Sequence, residues 1–318
     1  MAFTTALKTT TLRPRPTPEE MRPLKGRSVW ISDLHLDREP NAVSRALFSW
    51  LEDDLVRQAD DLFILGDLFE YWVGDDDCFA VADQLAQTLA TLKPNVWLQH
   101  GNRDFLLGTD FAARANAKLL PEAAVINTGN VRVAVQHGDA LCWADQRYQA
   151  FRAQTRNIEW QQSMLALPLA ERIAEAKRLR AASRASQAAC TDARSTESAI
   201  TDVDPDAVTA ALDDAKASLL IHGHTHRPAI HRAPPHSNHD PNTRSETTAT
   251  TDGRDFQPPE TGSPSDRWRI VLPDWDRRPG YLLLEVEDSP SSHGGASWGQ
   301  TLGSTLRFEL RDLHHQPY

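Results

Sequence analysis

Hydrophobic residues in this chain gather in short runs that stop at a glycine, an aspartate or a histidine. VWIS (29–32) runs into Asp33, LFIL (62–65) is closed by Gly66, and VWLQH (96–100) is stopped by Gly101. Such runs, bounded by turn formers, predict strands. AAVI (123–126) and VRVAVQH (131–137), either side of a TGN turn, predict two more, and SLLI (218–221) another. Between them the spacing becomes helical: Val43, Leu47, Leu51 and Leu55 mark 41–57, and 79–91 and 205–215 read the same way. From about Asp145 to Ala189 the pattern is helical and rich in Ala, Arg and Gln, and WRIVLPDW (268–275), YLLLEVE (281–287) and TLRFEL (305–310) complete the strands. This rhythm predicts an α/β fold with its chemistry at the strand ends.

Other stretches predict no packed structure. Residues 1–27 are rich in Thr, Pro and Arg and read as a disordered extension. Residues 233–266 are a low-complexity loop of Ser, Thr, Pro, Asp and His with too few apolar residues for a core, and 288–303 reads as a loose loop. The remainder of a 318-residue chain, 40% hydrophobic, suffices for a folded core. The N-terminus lacks the apolar centre of a secretory signal, and no run approaches the ~18 apolar residues of a spanning helix. Cys78, Cys142 and Cys190 form no CxxC pair, which fits a reducing compartment, so the expected location is cytoplasmic. With 34 basic against 44 acidic residues and a net charge of -10, nucleic acid is excluded as a partner.

Five segments place metal-binding side chains directly after an apolar run: SDLHLD (32–37), GDLFEYWVGDDD (66–77), GNRD (101–104), QHGD (136–139) and HGHTH (222–226). Carboxylate, amide oxygen and imidazole are the ligands of hard and borderline divalent ions. Residues two apart in a strand share a face, so Asp33 and His35 converge on one ion if the strand extends that far. Asp67, beside flexible Gly66, suits a bridging carboxylate. The same period of two pairs His222 with His224, with Gly223 allowing close backbone approach. Asp139 is read as a carboxylate that fixes an imidazole, and His226 is left out of the metal set.

The order of these motifs resembles the calcineurin-like metallophosphoesterase superfamily over most of residues 29–232. The resemblance implies a four-layer αββα sandwich and two metals. Asp33, His35, Asp67 and His224 would hold the first metal; Asp67, Asn102, His137 and His222 the second. The superfamily commonly has GNHD; here Arg103 replaces the histidine, and an arginine can clamp a phosphate bidentately. The longer segments LGDLFEYWVGDDD, QHGNRDFLLG, QHGDALCWADQRYQAFR and IHGHTHRPAIH resemble the UDP-2,3-diacylglucosamine diphosphatase family of bacterial lipid A biosynthesis. That resemblance implies hydrolysis of the substrate's pyrophosphate to UMP and 2,3-diacylglucosamine 1-phosphate, with two manganese ions as the usual metals. It also implies work at the cytoplasmic face of the inner membrane, as a peripheral protein; a monomer is expected. Asp67, Asn102, Arg103 and His137 would be catalytic, and Asn102, Arg103, Asp145, Ser183 and His222 would contact substrate. A broad-specificity dinuclear phosphodiesterase or phosphatase is the alternative.

The domain division expected is a metallophosphoesterase domain over 28–144 and 201–318, interrupted by a helical cap at 145–200. The cap carries Arg147, Arg152, Arg156, Arg172, Lys177, Arg178, Arg180, Arg184 and Arg194, with Lys177, Arg180 and Arg184 on one helix face. Met164, Leu165, Leu167, Leu169, Ile173 and Leu179 would line an acyl groove or dip toward lipid. Two cap contacts of the family, an asparagine and a lysine, have no clear match; Gln187 and Arg194 are the candidates to replace them.

Overall fold

The computed structural model describes residues 15–128, 131–190, 202–233, 267–286, 300–302 and 306–318, with side chains except at 184–190 and 300–302. Strands β1 (Glu19–Glu20), β2 (Gly26–Ile31), β3 (Asp61–Leu65), β4 (Asn95–Gln99), β5 (Ala117–Leu119), β6 (Ala123–Thr128) and β7 (Val131–Gln136) precede β8 (Leu219–His222) and β9 (Ala229–Arg232). They are followed by β10 (Trp268–Val271), β11 (Gly280–Val286), β12 (Gln300–Leu302) and β13 (Leu306–Asp312). The helices are α1 (Ala42–Leu51), α2 (Asp54–Arg57), α3 (Ala80–Ala90), α4 (Thr109–Arg114), α5 (Gln146–Thr155), α6 (Ile158–Leu165), α7 (Leu169–Cys190) and α8 (Pro205–Ala215).

Among the described residues the strands form two sheets, ordered β1-β6-β7-β8-β10-β9 and β12-β13-β11-β2-β3-β4-β5. Strand alternation sorts the core into three apolar layers. Trp30, Phe63, Leu65, Val133, Val135, Ile221 and Leu282 point between the sheets; there Trp30 stacks on Phe63 with centroids 3.7 Å apart. Val29, Ile31, Leu62 and Ile64 face the other way, against α1, α3 and α4 through Leu47, Leu85 and Phe111. On the outside of the first sheet, Ala134 and Leu220 pack on α8 through Ala207, Val208 and Leu212. Helix, sheet, sheet, helix is the four-layer αββα sandwich.

Several boundaries differ from the sequence reading. The helix expected over 41–57 breaks after Leu51 because Asp53 turns outward to cap α2, accepting from the Leu55 amide at 2.8 Å. The helical stretch from 145 divides into three, with Asp145 capping α5 and Asn157 capping α6. The extension expected to be disordered is ordered from residue 15. Glu19 and Glu20 pair with Ala124 and Val125, and Leu24 is buried between the sheets; residues 1–14 lie outside the described residues, as do 234–266 and 287–299. Strand β12, inside the stretch read as a loop, pairs with β13. Among the described residues, no helix is long and apolar enough to cross a membrane.

Candidate metal centre

The expected ligands gather where β2, β3, β4, β7 and β8 end. The strand does not carry Asp33 and His35 to one face, as the sequence reading supposed. β2 stops at Ile31, and both residues take left-handed backbone, with φ of 54° and 47°. Asp67 (φ 51°), His224 (68°) and His226 (55°) do the same, so five of the eight non-glycine residues with positive φ among the described residues lie here. Aspartate and histidine tolerate that region better than most side chains, and such strain collects at functional sites. Hydrogen bonds hold the corners in place: the Asp33 amide donates to Gly66 O (3.1 Å) and the His35 amide to Asp67 O (2.9 Å).

Asp33, Asp67 and His137 form one potential ligand group, all buried, and Asp33, His35 and His226 another. His137 Nε2 lies 3.6 Å from Asp67 Oδ1, and His226 Nε2 lies 3.4 Å from Asp33 Oδ1. The Asn102 amide oxygen sits between His137 Nε2 (3.1 Å) and His224 Nδ1 (2.9 Å). The Nε2 atoms of His35 and His226 are 3.2 Å apart. Two nitrogens bound to one ion at about 2.1 Å stand about 3.0–3.4 Å apart for angles between octahedral and tetrahedral, so this spacing fits a shared cation. Asp33 Oδ1 is buried without a hydrogen-bond partner, as a ligand atom would be. Oxygen and imidazole donors, two of them carboxylates, fit a divalent ion.

One expected ligand is absent from this cluster. The His222 ring faces Gly223 O, 2.8 Å from Nδ1, and its Nε2 is buried with no partner. Leu220 points under α8 and Ile221 between the sheets, so alternation sends His222 to the α8 side. The chain then turns through the left-handed corners at His224 and His226, and this pair, not His222 and His224, reaches the cluster. The metal and substrate roles expected of His222 are corrected accordingly.

A family model described as calcineurin-like phosphoesterase matches residues 26–228. The chain belongs to the calcineurin-like phosphoesterase family. It is also similar to proteins named UDP-2,3-diacylglucosamine hydrolase. One from Chromohalobacter salexigens is 38% identical over 263 residues, covering 82% of this chain and 93% of that one. Another, from Cellvibrio japonicus, is 43% identical over 64% of this chain and 83% of its own. A third, from Xanthomonas oryzae pv. oryzae, is 45% identical over 64% and 84%.

The electrostatics of this calcineurin-like phosphoesterase centre follow from burial. Burial holds the His224 imidazole down to about 3 and His35 to about 4, so both are neutral, as ligands must be. Burial also disfavours the His226 cation, but contact with the Asp33 carboxylate outweighs it and raises this ring to about 9. Asp67 is pushed up by burial, while for Asp33 the neighbouring imidazoles overcome burial and lower it. His137 Nδ1 donates to Leu65 O at 2.8 Å, which turns the Nε2 lone pair toward Asp67. Glycine is required at 101, because a Cβ there would lie 2.1 Å from Asp67 Oδ1.

Asp139 does not orient an imidazole as expected. Its Oδ2 accepts from Tyr148 (2.5 Å) and Arg152 (3.0 Å), both on α5, and so binds that helix to the end of β7. Arg103 lies beside Asp67, its amide donating to Asp67 Oδ1 at 2.8 Å and its Nε, buried without a hydrogen bond, 4.0 Å from Asp67 Oδ2. Asp145 is the α5 cap, accepting from the Tyr148 amide (2.8 Å), and Ser183 is half-buried on α7.

The basic residues of the cap are more internal than expected. Arg152 serves Asp139, Arg156 donates to Gly101 O (2.9 Å), Arg172 grips Asp76, and Arg180 meets Glu70. Met164 is buried and Leu167 packs on the core, leaving Leu165 exposed beside Ile158, which the sequence reading did not single out. Arg194 lies outside the described residues, as do the side chains of Gln187 and Arg184. Sequence reasoning also missed Glu70 and Tyr148; neither carries a periodic signal, and contacts across the fold reveal them.

Proposed function

We propose that this protein hydrolyses UDP-2,3-diacylglucosamine, the compound its similar relatives are named for, and that the products are UMP and 2,3-diacylglucosamine 1-phosphate. The observation that carries the reading is the convergence of Asp33, His35, Asn102, His137, His224 and His226 with Asp67 in one cluster, in a chain that covers nine-tenths of a relative bearing that name. Asp33, His35, Asp67 and His226 would hold one cation; Asp67, Asn102, His137 and His224 the other. Divalent ions held there, manganese in our reading, would supply Lewis acidity at the phosphate and lower the pKa of the attacking water.

The chain's own groups do the rest. Asp67 fixes the spacing of the two sites, and its position is set by the Arg103 amide and the glycine at 101. Arg103, already desolvated, presents a permanent positive charge to the diphosphate and steadies the phosphate that leaves. Water adds to the phosphorus bound to uridine, and the bond from that phosphorus to the bridging oxygen breaks. Helices α5 to α7 act as a cap over residues 145–200, offering Asp145 and Ser183 to the substrate. The protein works as a monomer at the cytoplasmic face of the inner membrane, where exposed Ile158 and Leu165 suit contact with an acyl-bearing substrate. The test is UMP release from UDP-2,3-diacylglucosamine by the purified full chain with Mn2+, expected to vanish with chelator. Turnover of simple phosphate diesters at equal or greater efficiency would favour the broad phosphodiesterase instead.

A further inference from the structure

His35 lies against the metal centre through Nε2, 3.2 Å from His226 Nε2 and 3.9 Å from Asp67 Oδ2. Its other ring nitrogen, Nδ1, is buried and has no hydrogen-bond partner. A buried N–H without an acceptor is costly, so this atom needs an explanation. Glu70 Oε2 stands 3.6 Å from it. The other carboxylate oxygen, Oε1, accepts from Arg180 Nε, less than one turn before the last described side chain of α7. Glu70 is itself buried, at 8% exposure, so its position is set by these neighbours and not by water.

We propose that Glu70 is a positioning residue that links α7 to the metal centre. One carboxylate oxygen holds Arg180; the other takes the Nδ1–H of His35 and so turns the Nε2 lone pair toward the cation. The distance of 3.6 Å is longer than a hydrogen bond, and a small rotation of the His35 ring closes it. A carboxylate behind a ligating imidazole fixes its tautomer and raises its basicity. Because the carboxylate is shared, displacement of α7 pulls on the same group that orients His35. The inference rests on the metal-centre reading above and adds to it a mechanical connection from the cap.

The test is Mn2+ binding by titration calorimetry to the metal-stripped full chain, which requires no substrate. Glu70→Ala is expected to weaken binding about 10–100-fold, as loss of such a partner does elsewhere. Glu70→Gln keeps an oxygen acceptor for Nδ1–H and should recover most of the loss. Arg180→Ala should weaken binding by a smaller factor, and the double variant should bind no more weakly than Glu70→Ala alone. Unchanged affinity in Glu70→Ala, or in Arg180→Ala, would overturn the proposal, as would losses that simply multiply. If Glu70→Ala fails to fold, Arg180→Ala and Glu70→Gln decide the matter. Failure of the unaltered protein to bind Mn2+ would instead remove the metal-centre reading and this inference with it.

Discussion

Arg172 anchors the start of α7, and replacing it with methionine tests how firmly the cap is held. Its side chain is buried, with Nη1 donating to Val73 O (2.6 Å) and Asp76 Oδ1 (2.7 Å), and Nε to Leu167 O (3.0 Å). Methionine keeps helix propensity and most of the apolar stem, so the change isolates the guanidinium. The ion pair itself contributes little to the difference, because the Asp76 side chain is 59% exposed and water replaces its partner. The Val73 carbonyl is different: its residue is 1% exposed, and an unsatisfied buried carbonyl costs about 1–3 kcal/mol. Taking about 2 kcal/mol as the net loss, local opening of α7 becomes about 30-fold more frequent. Amide hydrogen exchange over residues 169–183, read by mass spectrometry, should accelerate by that factor while the strands stay protected. Exchange within threefold of the unaltered protein would show that Arg172 does not hold the cap and would refute the reasoning.

His226→Ala should abolish one of the two Mn2+ equivalents seen by calorimetry, whereas His222→Ala should keep both and lose about 2–4 kcal/mol of stability from a buried cavity; the opposite pattern would restore His222 as the ligand. Gly101→Ala, which drives a methyl into Asp67, should lower Mn2+ affinity and activity together, checked by the same titration and by UMP release. His231 is held to about 4 by burial and by Arg269, below an ordinary histidine near 6.5. Its folded form resists protonation, so its contribution to stability is complete above about 6.5 and fades as pH falls toward 4. His231→Gln should therefore flatten the decline in melting temperature of the metal-stripped protein between those values, and an unchanged decline would count against this account.

Much of the fold could be read from the chain because the strands are short and sharply punctuated. Gly66 and Gly101 close β3 and β4, and their apolar runs alternate between two buried faces. Elements without such a signature were missed: α4 has six residues and β5 three, too little for a period to show. The ligand motifs were equally visible, but which two histidines of HGHTH belong to the site was not. Leu219, Leu220 and Ile221 are all apolar, so the sequence does not mark which face β8 turns inward, nor that the chain leaves extended geometry after His222. Arg152 and Arg172 were read only as basic residues of the cap, and Arg180 as sharing a helix face with Lys177 and Arg184, because their acceptors, Asp139, Asp76 and Glu70, are distant in sequence.

The hairpin of β9 and β10 has a practical consequence. Arg232 faces Trp268 in its register, so the chain leaves and returns through neighbouring positions however much lies between them. That doorway opens at the Leu219 end of β8, whereas the metal-binding corners follow His222 at the other end. With a rise of about 3.3 Å per residue, roughly 10 Å of sheet separates the two. A tag, a fluorophore or a shortened turn can thus be spliced in there for immobilisation or single-molecule work without disturbing the catalytic rim.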